Sequence, residues 1–110
     1  MNKGIKYEIR VVKDARKKGL NSRWNFSGMG VFKKGDLQIE QFLVEAKTTE
    51  KSSFSVRANL LEKIRKEATR KALKPAMLVN VKGQEYIILE FEDFLDLLDL
   101  IAELKQKKGN

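Results

Sequence analysis

Across residues 35–47 apolar and polar side chains alternate, with Leu37, Ile39, Val44 and Ala46 set against Asp36, Gln38, Glu45 and Lys47. A period of two fits a pair of half-buried strands better than a helix. Glu40-Gln41 is the natural turn. A two-residue loop there makes Ile39 face Phe42, Leu37 face Val44 and Asp36 face Glu45. Residues directly opposed on an antiparallel pair share one sheet face, with Cβ atoms about 5 Å apart. Two carboxylates therefore meet, and Lys47 lies on their face one alternation beyond Glu45. The other face, with Leu37, Ile39, Phe42, Val44 and Ala46, is a core face.

Like charges directly opposed weaken a sheet. Such a pair is retained where a cation sits between its members. Carboxylate oxygens with open positions suit Mg²⁺ or Mn²⁺, hard ions that keep several waters. An adjacent ammonium can orient a water or offset charge at a phosphate. The plain alternative is a solvated strand face on which Glu45 and Lys47 are ordinary surface charges.

The chain has no cysteine and no histidine. Disulfides, thiolate zinc sites, Ser-His triads and histidine bases are excluded, so catalysis falls to carboxylates, Lys, Arg, Tyr or a metal. The 110 residues suffice for one domain with one core, taken as residues 1–110. No apolar run is long enough to span a membrane and no signal peptide opens the chain, so a cytoplasmic location is expected. Of 23 bases and 15 acids, three and five lie in residues 91–110. The first ninety residues keep 20 and 10, a net of +10, which points to a polyanionic partner.

Residues 5–18 read as a helix with Ile5, Ile9, Val12 and Arg16 on one face and Gly19 as its cap. Glu8 lies at the edge of that face, either a boundary charge or a carboxylate reaching inward. Residues 20–26 read as a strand, 27–30 as a turn, and Lys33 and Lys34 lead into the hairpin. Trp24 is either a ring that stacks on a base or, the safer reading, a core or core-edge residue. A second helix starts at Ser53 or Ser55 and runs to about Leu73, ended by Pro75. Its apolar side carries Val56, Leu60, Leu61, Ile64, Ala68 and Ala72. Arg57 falls in its first turn, near the hairpin carboxylates. Asn59, Lys63, Lys66 and Arg70 form a stripe that is either a phosphate-binding ridge or a solvated face.

Residues 76–81 and 85–90 read as a hairpin around 82–84. Tyr86, Ile87, Ile88 and Leu89 show no clean alternation, which predicts burial of at least one face pair. Residues 91–107 form a last helix with more apolar positions than one core-facing stripe needs. The surplus predicts a partner surface, most simply a homodimer, with Leu97, Leu100 or Leu104 near the contact.

The order helix, strand, hairpin with Asp and Glu-x-Lys, helix, strand resembles the PD-(D/E)XK nuclease superfamily. Within it the likeness is to archaeal-type Holliday junction resolvases and related phage endonucleases, over residues 7–89. Asp36 matches the aspartate of the motif and Glu45-Ala46-Lys47 its Glu-x-Lys. Glu8 resembles the helix-borne acid, and Arg23 with Ser27-Gly28 resembles an Arg-x-x-x-Ser-Gly segment. Residues 53–68 resemble the following helix of phage members. Gly35 stands where the family usually has proline.

The resemblance implies an α/β, restriction-endonuclease-like core with a mixed sheet of about five strands in the order αβββαββα. It implies catalytic residues Glu8, Asp36, Glu45 and Lys47, and Mg²⁺ or Mn²⁺ held by Asp36, Glu45 and the backbone carbonyl of Ala46. DNA-binding residues would be Arg23, Ser27, Lys33, Lys34, Arg57, Lys63, Lys66 and Arg70. The implied activity is Holliday junction resolution by a homodimer, in a prokaryotic or phage-infected cell. A nuclease acting on flaps, ends or linear duplex, and a non-catalytic DNA-binding module of the same fold, are the alternatives.

Overall fold

The elements run α1 (Lys3–Lys17), β1 (Ser22–Trp24), β2 (Asp36–Ile39), β3 (Phe42–Thr49), α2 (Ala58–Arg70), β4 (Lys74–Val81), β5 (Gln84–Leu89) and α3 (Phe91–Gly109). This is the order αβββαββα. The computed structural model describes residues 3–24 and 36–109, without the side chains of Lys3 and Asp36. The expected turn at 27–30, Lys33, Lys34 and the strand entry at Gly35 lie outside the described residues.

The strands form one mixed sheet in the order β1-β2-β3-β4-β5. Neighbours are antiparallel except β3 and β4, which are parallel and joined through α2. A parallel pair requires such a crossover, because no tight turn can return a strand in the same direction. The β2–β3 register is the one the alternation dictates: Asp36↔Glu45, Leu37↔Val44 and Ile39↔Phe42. Glu40, in the two-residue turn, has φ +50°. The turn is tied to β1, since Asn21 N–H donates to Glu40 Oε2 at 2.6 Å and Glu40 N–H donates to the Asn21 carbonyl at 2.7 Å.

Helices cover both faces of the sheet. On one face Tyr7, Val11 and Val12 of α1 pack with Leu37, Val44 and Ala76, and Trp24, Ile39, Phe42, Ala46, Leu78 and Leu89 close around them. On the other, Ile64 of α2 packs with Met77 and Val79, joined by Phe54, Leu60, Val81 and Ile88. Leu37, Leu43 and Met77 are fully buried. Each contributes about 1.5–3 kcal/mol of transfer free energy.

The core-facing stripe of α1 is rotated from the one expected. Tyr7, Glu8, Val11, Val12 and Ala15 are buried, Ile5 and Ile9 are only half-buried, and Arg16 is exposed. Arg16 instead donates from Nε to the Ser22 carbonyl at 3.0 Å. Gly19, at φ +80°, ends α1 as the pattern predicts. Its N–H bonds the Arg16 carbonyl and the Leu20 N–H bonds that of Ala15, the paired bonds of a Schellman cap.

The second helix is shorter than expected at both ends. Neither Ser53 nor Ser55 caps it. Arg57 is the N-cap, with no side-chain hydrogen bond, and Val56 is exposed in the preceding segment. At its far end Ala72 takes φ +56°, and Leu73 N–H bonds the Ala68 carbonyl at 2.8 Å. Pro75 therefore lies inside β4, beyond the end of the helix. The β4–β5 turn is Lys82-Gly83, with φ +51° and +86°, the positive pair that a two-residue type I′ turn demands. The expected burial of β5 holds only at its end: on this edge strand Tyr86 and Ile87 are exposed, whereas Ile88 and Leu89 are half-buried against the two cores.

The root of α3 is fixed by two ion pairs, Arg65 Nε to Glu90 Oε2 at 2.6 Å and Lys74 Nζ to Asp93 Oδ1 at 3.3 Å. Beyond the root, among the described residues, no helix or strand packs along it. Phe91, Phe94, Leu95, Leu98, Leu100, Ile101 and Leu104 are all exposed. The molecule measures 50 × 32 × 27 Å. Among the described residues no helix is long and apolar enough to cross a membrane.

Candidate metal and nucleic-acid site

The β3 strand alternates between two environments. Val44 and Ala46 face α1, whereas Leu43, Glu45 and Lys47 share the α2 face with their register partners Met77 and Val79. A carboxylate and an ammonium two residues apart thus project from the same face. Lys47 Nζ lies 3.2 Å from Glu45 Oε1. The Glu45 side chain is only 12% exposed and that of Lys47 39%. Asp36 opens β2 at the register position opposite Glu45. The structure therefore brings Glu45 and Lys47 into contact and sets the Asp36 backbone beside them. Ala46, whose carbonyl is the third expected ligand, lies between them in β3.

Glu8 stands elsewhere. It is buried on α1, and its Oε1 accepts the Trp24 indole N–H at 2.9 Å. Trp24 is registered with Leu37, so this pair belongs to the α1 face, opposite the face that carries Glu45. The structure does not bring Glu8 to the Glu45–Lys47 pair. A second feature of the α1 side had no local signal in the sequence. Tyr7 donates its hydroxyl to Glu85 Oε2 at 2.7 Å, and the Arg10 guanidinium, 5.1 Å from the Tyr7 ring centroid, pairs with the same oxygen. Burial first, and then the Glu85 carboxylate, push the Tyr7 phenol up from its ordinary value. The partners are 78 residues apart in the chain.

The basic residues are exposed but dispersed. Arg23 borders a groove of about 380 Å³ with Lys13, Arg16 and Trp24. Lys63, Lys66 and Arg70 line another of about 350 Å³ along the outer side of α2, interleaved with Glu62 and Glu67. Arg57 is exposed at the start of α2. On the α2 face the register continues from Lys47 through Val79 to Tyr86. There an open groove of about 510 Å³ includes Ser53, Phe54, Lys82 and Tyr86. Ser27, Lys33 and Lys34 lie outside the described residues.

Among the described residues no group of three or more Asp, Glu, His or Cys side chains converges on one point. The donors present are carboxylate and carbonyl oxygens with a neighbouring ammonium. That chemistry fits a hard divalent cation and not a soft one. The chain matches no family model and no curated protein.

Proposed function

We propose that the protein is a metal-dependent DNA endonuclease with a restriction-endonuclease-like core, acting on branched DNA and most simply on four-way junctions. The observation that carries this reading is the contact of Glu45 and Lys47 on one sheet face, with Asp36 in register opposite Glu45. Mg²⁺ or Mn²⁺ would be held by Asp36, Glu45 and the Ala46 carbonyl, and supplies Lewis acidity and a water of lowered pKa.

Around that group the protein's own residues have defined work. Glu45 and Asp36 place negative charge that orients a water for attack on the phosphodiester phosphorus. Lys47 offsets the charge that develops on the phosphoryl oxygens as the leaving oxygen departs. The surplus of bases in the first ninety residues, with Arg23, Arg57 and the Lys63–Lys66–Arg70 ridge exposed, supports a polyanionic substrate. Two coordinated cuts in a two-fold junction call for two copies of the chain, so the working unit is a homodimer. Glu8 enters this reading as a support for Trp24 and the β1 edge, and not as a ligand.

The test is direct. Wild-type protein and Glu45→Gln are incubated with Mg²⁺ and with matched four-way, flap and linear duplex substrates, and the cuts are mapped. Cleavage of the junction by wild type alone is the expected result. Cleavage of flaps or linear duplex in preference to the junction would move the substrate class. Binding of DNA without cutting under any metal would leave a non-catalytic DNA-binding module.

A further inference from the structure

The residues Phe91, Phe94, Leu98, Ile101, Lys105 and Lys108 recur along α3 at alternating steps of three and four. That is the a/d seam of a heptad helix, four apolar positions followed by two lysines. All six are exposed, Phe91 at 71% and Phe94, Leu98 and Ile101 at 45–48%. The body of the molecule does not cover them. It meets α3 on another side, where Asp93 is buried against Lys74 and Leu97 is half-buried.

We propose that this seam pairs with the same seam of a second copy, and that the two helices run antiparallel. In an antiparallel heptad pair each a position faces a partner d position. Phe91 then meets the partner's Lys108, Phe94 meets the partner's Lys105, and Leu98 meets the partner's Ile101. Each lysine lies over an aromatic face, a favourable cation–π contact. A parallel pair would instead set Lys105 against Lys105 and Lys108 against Lys108 within the seam, two like-charge clashes. The dipoles agree as well, because the lysine-rich C-terminal end of one helix lies beside the acidic first turn of the other. Glu92, Asp96, Asp99 and Glu103 form a separate stripe at steps of four, three and four, and stay in water.

Area supports the same occupant. The four apolar seam side chains, with Leu95 and Leu104 flanking them, leave on the order of 600 Å² per copy, so mutual burial reaches about 1,200 Å², the lower end of the range for specific interfaces, and Leu100 lies outside the contact. The geometry also fixes where the bodies stand. Each hangs from the N-terminal root of its helix, so the antiparallel pair separates the two roots by roughly 26 Å along the axis. This inference rests on the two-copy part of the proposed function and specifies its surface and direction.

The chain lacks cysteine, so single-cysteine variants report cleanly. Phe91→Cys and Lys108→Cys proteins are mixed, equilibrated in a glutathione redox buffer, and their disulfides are mapped by mass spectrometry. Sedimentation of the wild type at micromolar concentration is measured alongside. The expected results are a wild-type dimer and a predominant disulfide between positions 91 and 108. Disulfides joining 91 to 91 would establish a parallel pair and overturn the proposal. A dimer with neither disulfide would place the contact on another surface and overturn it while sparing the two-copy reading. A wild-type monomer would overturn both, yet junction cleavage could still be scored separately. Ile101→Glu, at a site exposed in the single chain, is expected to give a folded monomer; a persistent dimer would refute the seam, and if the variant fails to fold the cysteine result decides.

Discussion

Lys47 Nζ stands 3.2 Å from Glu45 Oε1, and both side chains project from the sheet face that also carries Met77. A half-buried carboxylate beside apolar surface needs a counter-charge, and Lys47 supplies it in the free protein. In the proposed reaction the same ammonium acts where phosphoryl charge develops. Lys47→Ala is therefore expected to lower the single-turnover cleavage rate by about 10²- to 10³-fold, the scale of losing one preorganised charge stabiliser. Junction affinity should change only slightly. A loss confined to affinity, with the rate intact at saturating protein, would make Lys47 a phosphate contact only.

Metal binding gives a readout that needs no DNA. The register sets Asp36 opposite Glu45, a pairing of two acidic residues that a cation held between them would stabilise. Mg²⁺ at a hundred times its Kd would stabilise the native state by about 2.7 kcal/mol, or roughly 10 °C in Tm for a domain of this size. Glu45→Gln should abolish that shift. Asp36→Asn should melt no lower than wild type in chelator, because it removes one of the opposed charges. A wild-type Tm indifferent to Mg²⁺ and Mn²⁺ would remove the site.

Much of this arrangement could be read from residue order because it is local. Strict alternation around Glu40-Gln41 is enough to specify the β2–β3 register, since a slip of one residue would turn Leu37 and Val44 out of the core. Gly19 marked the end of α1 for the same reason. Long-range partners were not legible. Nothing near Glu8 shows that an indole 16 residues away would take its carboxylate, and nothing near Tyr7 points to Glu85. Helix periodicity alone did not place the core stripe of α1, because Tyr7, Val11 and Ala15 compete with Ile5, Ile9 and Val12 for the inward face. The ends of α2 are not legible in the sequence because neither carries its usual marker, a side-chain cap at the start or a glycine at the close.

That missing glycine carries a prediction of its own. Ala72 occupies a left-handed conformation, φ +56°, in the turn that closes α2. A Cβ there costs roughly 1–2 kcal/mol. Ala72 is exposed, so its methyl group contributes little packing in return. Ala72→Gly should therefore raise stability by about 1 kcal/mol, read as a higher urea midpoint with an unchanged m-value. A lower midpoint would mean that the closing turn is not held in this conformation.

The α1–β5 clamp sets a limit at alkaline pH. Burial, and next the hydrogen bond to Glu85, raise the Tyr7 phenol above its ordinary 10.0. The unfolded chain therefore releases this proton at lower pH than the native one does. The stabilisation is complete below about pH 10 and is lost as pH rises from there toward the native value. Tyr7→Phe should cost about 1 kcal/mol at pH 7, the worth of an ordinary hydrogen bond. Above pH 10 its stability should fall less steeply than that of wild type. Parallel alkaline slopes, measured by urea unfolding at several pH values, would show that the phenol is not held in its neutral form.

The outer side of α2 carries the last prediction. Lys63, Lys66 and Arg70 are exposed along one groove, away from the buried Ile64 and Ala68. If DNA lies along them, each phosphate contact releases condensed counterions, and the affinity falls with salt in proportion to the number of contacts. Neutralising all three to Gln should weaken junction binding and reduce the slope of log K against log salt by roughly 2 to 3. The three side chains face solvent, so the folded state should tolerate the change, and an unaltered melting curve is the control. Glu62 and Glu67 share the groove and oppose the attraction, so Glu62→Gln, at the exposed position of the two, should tighten binding modestly at low salt. An unchanged slope in the triple variant would move the DNA path to the groove between α1 and the β1 edge, where Arg23 lies with Lys13, Arg16 and Trp24.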